Sequence, residues 1–146
     1  MTEQRGSAPY EASYQATLDV VDQVPVDRRE DPGVVGEWSL KDAMGHLAFW
    51  DGLEADELAA RKAGTGFEFD DSEDTANARE SARRADWSWD EVMTEVAANR
   101  ERLVPLLIDP GPNADDYPIH EHWDEHRAQI EAWLAGNSAA ATESTR

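Results

Sequence analysis

The residues of this sequence that could support metal chemistry are its four histidines, His46, His120, His122 and His126. His122 and His126 are four residues apart, so a helix would place both imidazoles on one face with Cβ atoms about 6 Å apart. Nitrogens on two such rings can reach one ion at about 2.0–2.1 Å. If His46 lies on a neighbouring helix, three imidazoles converge and leave coordination positions open for water or substrate. Ordinary core or surface histidines remain the alternative interpretation of the same residues.

The remaining histidine, His120, does not match a ligand position and is expected to face away from the site. It would replace His122 only if the helix were rotated about its axis. Ligand histidines usually donate their second N–H to a carboxylate or a carbonyl. Asp42 and Glu54 are candidates for that role, although the alternatives are that Asp42 caps a helix and that Glu54 is solvated.

The elements that must position these histidines follow from hydrophobic periodicity, which predicts four helices at residues 8–22, 39–63, 88–107 and 118–136. A shorter helix is expected at residues 75–84. Ser39 with Asp42, and Ser88 with Glu91, have the spacing of capping boxes. Gly64 and Gly136 are expected to end the second and the last helix. His126 lies within the apolar stripe of the last helix, and His46 lies beside that of the second.

The predicted apolar faces identify the candidate core. They comprise Tyr10, Tyr14, Leu18 and Val21 on the first helix, and Ala43, Leu47, Trp50, Leu53 or Glu54, and Leu58 on the second. On the later helices they comprise Val92, Val96, Asn99, Leu103, Ile119, Trp123, His126 and Ile130. Trp50 and Trp123 are close to histidines and could wall a substrate pocket, although core packing is the expected role of most of the six tryptophans.

Four amphipathic helices and no strand alternation predict an all-α, four-helix bundle over residues 8–136. Residues 1–7 are expected to form a flexible N-terminus, and residues 137–146 a disordered tail. The loop after the second helix is long enough to allow a crossover connection. Bundle topology therefore stays open.

Composition excludes several classes of partner and cofactor. The 146 residues include 32 acids and 13 bases, which give a formal net charge of −19. This charge argues against binding to nucleic acid or to an anionic membrane surface. Because the sequence has no cysteine, disulfides, zinc–thiolate sites and a catalytic protein thiol are excluded. The polar N-terminal residues predict no signal peptide, so a cytoplasmic protein is expected.

Two segments carry a family resemblance. The segment E-W-S-L-K-D-A-M-G-H-L at residues 37–47 is similar to the second-helix signature of the DinB/YfiT-like bundles. The segment H-W-D-E-H-R-A-Q-I at residues 122–130 resembles that family's last-helix signature. The resemblance implies a divalent metal, zinc or nickel more often than iron, held by His46, His122 and His126. Imidazole ligands alone do not distinguish among these metals.

The resemblance also implies functions. Related bundles include S-transferases and isomerases that activate low-molecular-weight thiols, so a metal-dependent thiol S-transferase or a hydrolase acting on a small molecule is expected. A thiol cosubstrate and a homodimer are implied in the same way. A stress-associated dimer whose site is structural or vestigial is a competing hypothesis. The alternative is a non-catalytic protein that binds small molecules or gives self-resistance, as in the ClbS-like group. That group lacks the full set of three histidines, which argues against this alternative.

Overall fold

A computed structural model describes residues 7–111 and 118–142 of the protein, with side chains up to residue 136. Five α-helices account for most of this range, and a single 3₁₀ turn follows the first of them. The helices are α1 (Ala8–Val21), α2 (Leu40–Ala63), α3 (Glu73–Arg83), α4 (Trp89–Ile108) and α5 (His120–Thr142). The described residues contain no β-strand, only an isolated bridge between Val35 and Trp38. The all-α prediction is therefore confirmed.

Local capping signals determine where the two central helices begin. At α2, the Ser39 hydroxyl accepts from the Asp42 N–H, and the Asp42 carboxylate accepts from the Ser39 N–H, both at 3.1 Å. Ser88 and Glu91 form the same reciprocal pair at the start of α4. Gly64 ends α2 in the left-handed conformation at φ 78°, which only glycine adopts without steric cost. Both predicted capping boxes are confirmed.

The helices pack mainly as two pairs, α1 with α5 and α2 with α4, while α3 lies against α2. Asparagine Asn99 of α4 joins the second pair by donating its amide to the Ala48 carbonyl at 2.8 Å. One hydrophobic core receives side chains from all four of these longer helices. Its fully buried large members are Tyr10, Val21, Leu40, Met44, Leu47, Val92, Val96, Leu103, Trp123 and Ile130. No helix in the described part of the chain is long and apolar enough to cross a membrane.

The buried face of α2 differs from the predicted one. Trp50 and Leu53, expected in the core, are only half-buried, whereas Ala48, Asp51 and Ala55 are buried. Ala43, Leu47 and Leu58 are buried as predicted. The Trp50 ring instead turns toward α3, where it donates its Nε1–H to Asn77 at 2.8 Å. A hydrophobicity pattern cannot anticipate a carboxylate on the inner face.

The last helix extends beyond its predicted end. The backbone of α5 continues through Gly136 to Thr142, so the prediction that Gly136 ends it is wrong. Gly136 has no positive φ, and the alanines that follow it favour helix. The predicted tail at residues 137–146 is therefore helical as far as residue 142, and residues 143–146 lie outside the described range. Residues 1–6 of the predicted flexible N-terminus also lie outside it, while Ser7 precedes α1.

Candidate metal centre

The structure brings together the three histidines that the sequence singled out. His46 projects from α2, and His122 and His126 project from successive turns of α5. The Nε2 atom of His122 lies 2.9 Å from Nε2 of His46 and 3.1 Å from Nε2 of His126. The three side chains offer ligand atoms that all lie within 4.8 Å of one another, so the cluster could hold a metal ion.

The two distances from Nε2 of His122 are close to those between ligands on a shared ion. Nitrogens bound to one ion at about 2.1 Å are roughly 3.0–3.4 Å apart, depending on coordination geometry. A ring nitrogen carries either one proton or one lone pair. Nε2 of His122 therefore cannot form two full hydrogen bonds with its two neighbours. A cation would bind all three lone pairs at once.

The side-chain amide of Gln129 forms a hydrogen bond with Nδ1 of His126. Nδ1–H of His126 donates to Oε1 of Gln129 at 2.5 Å, because an amide oxygen can only accept. This hydrogen bond leaves Nε2 of His126 facing the cluster. This is the supporting hydrogen bond that metal ligands usually make. Nδ1 of His46, by contrast, is buried and has no hydrogen-bond partner among the described residues.

Burial keeps two of the rings neutral. Desolvation, reinforced by the charges of the other two histidines, lowers the pKa of His46 to about 3. Burial and the neighbouring His126 lower the pKa of His122 to about 4. Only neutral imidazole binds a metal ion. Both rings are therefore in the metal-binding form at any pH above about 5, whereas free imidazole would be largely protonated there.

The same shifts predict how the metal-free protein responds to pH. Between about pH 4 and 6.5, the unfolded chain binds two protons at His46 and His122 that the folded protein rejects. The pKa of Asp51 is raised to about 7 by burial, so the folded protein binds one proton there that the unfolded chain has released. The net difference is one proton, so the free energy of unfolding should rise by about 1.4 kcal/mol per pH unit across this window.

Urea unfolding in EDTA at several values between pH 4.5 and 6.5 would measure this slope. An Asp51→Asn variant lacks the carboxyl group that binds a proton on folding. Its free energy of unfolding should therefore rise with pH about twice as steeply, because only the two histidine protons remain in the balance. A stability that is flat or falls as pH rises over this window would contradict the assignment.

An open cavity of about 510 Å³ lies in front of the histidines, within the range of small-molecule sites. Trp38 and Trp50 form its aromatic wall, and their ring centroids lie 4.8 and 6.4 Å from that of His46. Trp50 therefore has the wall position suggested by the sequence. Trp123 instead is fully buried in the core.

The buried acid of the cavity, Asp51, was missed by sequence reasoning. The Asp51 carboxylate is 2 % exposed and lines the cavity. It accepts from the Tyr10 hydroxyl at 2.6 Å and from Nε1–H of Trp123 at 3.0 Å. It thereby connects α2 with α1 and α5. Its position among the small and apolar residues of the inner face of α2 was the only available signal.

The other residues considered from the sequence lie outside the group of three histidines. His120 is not part of the cluster that could hold an ion. Asp42 caps α2, and Glu54 lines the cavity. The hydrogen-bond acceptor that supports His126 is Gln129, three residues later on the same helix. That amide lies in the segment that carries the family resemblance, but its role was not predicted.

Comparison with known families, with curated proteins and with solved structures found no match to this chain.

Proposed function

We propose that this protein binds one divalent metal ion through Nε2 of His46, His122 and His126, and that it is a metal-dependent enzyme acting on a small molecule. The observation that carries the proposal is the approach of Nε2 of His122 to Nε2 of His46 at 2.9 Å and to Nε2 of His126 at 3.1 Å, beside an open cavity. Three neutral ligands leave positions free on the ion, as catalytic sites require and as structural sites do not.

The reaction class that fits this arrangement is thiol S-transfer or hydrolysis. A bound ion supplies Lewis-acid activation of a thiol or a water molecule at neutral pH. The chain itself supplies orientation and shelter. Gln129 holds the His126 ring by a hydrogen bond to its Nδ1, and the cavity wall of Trp38 and Trp50 would shield a bound ion from part of the solvent. Because the protein has no cysteine, any thiol in the reaction comes from a cosubstrate.

We infer further that the fold is a four-helix bundle of the DinB/YfiT-like kind. Helices α1, α2, α4 and α5 would be its four members, and α3 would lie in the connection between the second and the third. The support is the shared core of these four helices together with histidines on the second and the last of them. The two segments at residues 37–47 and 122–130 contribute all three histidines.

Elemental analysis of the untagged protein, purified without chelators, tests the proposal. We expect about one equivalent of zinc, nickel or iron, and thiol-dependent transfer or ester hydrolysis that EDTA abolishes and added metal restores. Absence of metal, both as purified and after reconstitution, would contradict the metal site. Tight binding of a small molecule without metal would instead support a binding or self-resistance protein.

A further inference from the structure

We propose that the cavity in front of the histidine cluster takes a small molecule that carries an ammonium group. This inference rests on the proposed function, since it names the substrate class of the same site. Three features of the cavity support it: the exposed acids of its lining, the buried carboxyl group of Asp51 that has no cationic partner, and the aromatic wall.

The charged side chains in the described lining of the cavity are all acidic. Its charged residues are Asp51, Glu54, Glu73, Glu121 and Glu125, and the described lining contains no lysine or arginine. Charges of one sign in a concave site focus the electrostatic potential there. The exposed acids Glu73, Glu121 and Glu125 alone carry three negative charges, and a divalent ion bound by neutral histidines would offset two of them. An anionic small molecule would therefore be repelled, and a cationic one attracted.

The carboxylate of Asp51 is buried without a positive partner. Its hydrogen bonds come from the Tyr10 hydroxyl and the Trp123 indole, which are both neutral donors. Buried carboxylates in proteins are usually paired with a cation or a metal. Burial raises the pKa of Asp51 to about 7, so this carboxyl group is partly protonated at neutral pH. Because Asp51 lines the cavity, a cationic group bound there would favour its ionised form. This observation concerns a buried group and is independent of the exposed acids at the rim.

The aromatic wall suits an ammonium group as well. Trp38 and Trp50 lie on the cavity beside His46, and indole is the side chain that attracts cations most strongly through its ring face. The Trp50 ring is held in place by its hydrogen bond to Asn77. Since both rings are half-buried, each has surface available for a ligand. Carboxylates and indole rings around one cavity are a typical recognition site for an organic cation.

Three probes of matched shape test the charge preference: 2-phenylethylamine, 2-phenylethanol and 3-phenylpropionate. Calorimetry should be performed on the zinc-loaded protein and on the metal-free protein, because a carboxylate probe could also coordinate zinc. We expect the amine to bind at least about tenfold more tightly than the carboxylate in low salt. The ratio should shrink as salt screens the charges. Failure of the amine to bind, or equal or tighter binding of the carboxylate, would overturn the proposal.

A double variant, Glu121→Gln with Glu125→Gln, assigns the preference to this cavity. Both residues are exposed on α5, so the fold should persist. We expect the ratio of amine to alcohol affinity to fall at least about threefold. Glu131→Gln, an exposed change on the same helix outside the cavity, should leave it unchanged. An amine-to-alcohol affinity ratio that the double variant leaves unchanged would overturn the proposal.

A separate zinc titration distinguishes this inference from the proposed function. If the protein binds no zinc but still binds the amine more tightly than the carboxylate, only the proposed metal site is refuted. Zinc binding without the preference would refute only the substrate class.

Discussion

Replacing His122 with alanine is expected to lower the affinity for zinc by more than about a hundredfold. His122 is the central residue of the cluster, since its Nε2 lies closest to Nε2 of both His46 and His126. Loss of a residue that merely supports a ligand typically costs 10–100-fold in metal affinity, so loss of the ligand itself should cost more. Competition with a chromophoric zinc chelator would measure the difference.

Two matched variants serve as comparisons for the zinc affinity of His122→Ala. His120→Ala removes a histidine from the same helix outside the cluster, and its zinc affinity should equal that of the unaltered protein. Gln129→Ala removes the hydrogen bond to Nδ1 of His126 and should cost about tenfold. If His120→Ala weakened zinc binding as much as His122→Ala, the assigned ligand set would be wrong.

Replacing Trp123 with alanine is expected to lower the free energy of unfolding by about 4 kcal/mol. The Trp123 side chain is 0 % exposed. It packs edge-on against Tyr10 with ring centroids 6.1 Å apart, and against Tyr14 at 5.0 Å. The substitution would leave a large cavity between α1 and α5 and would also remove a hydrogen-bond donor from Asp51. Urea unfolding of the metal-free protein at pH 7 would measure the loss.

The variant Trp123→Phe separates packing from hydrogen bonding. It keeps an aromatic ring in the core but removes the Nε1–H group that donates a hydrogen bond to the Asp51 carboxylate. We expect a loss of about 1–2 kcal/mol and a protein that still binds zinc. A Trp123→Ala loss below about 1 kcal/mol would contradict the assignment of this side chain to the core.

The features predicted well from sequence are those determined within one or two helical turns. The capping boxes at Ser39 and Ser88 involve residues three apart, and the His122–His126 pair needs only helical geometry. The approach of His46, which is 76 residues away from His122 in the chain, was a conditional prediction. It depended on the packing of α2 against α5, which no local pattern determines.

The features missed depend on exceptions to hydrophobic patterning. Asp51 faces the core because Tyr10 and Trp123 provide hydrogen-bond donors there, and those donors come from two other helices. Trp50 leaves the core because Asn77 of α3 offers its indole an acceptor. In both cases a polar partner distant in sequence, rather than the hydrophobicity of the residue itself, sets the orientation of α2.

The histidine cluster lies across the boundary between the two helix pairs, since His46 belongs to the α2–α4 pair and His122 and His126 to the α1–α5 pair. An ion bound there would connect the pairs where direct contacts between α2 and α5 are few. Opening of that boundary and release of the ion are then thermodynamically linked. If the cluster binds an ion, a substitution that loosens the boundary would lower metal affinity without altering any of the three histidines. The metal concentration of the surroundings would then influence how often the two helix pairs separate.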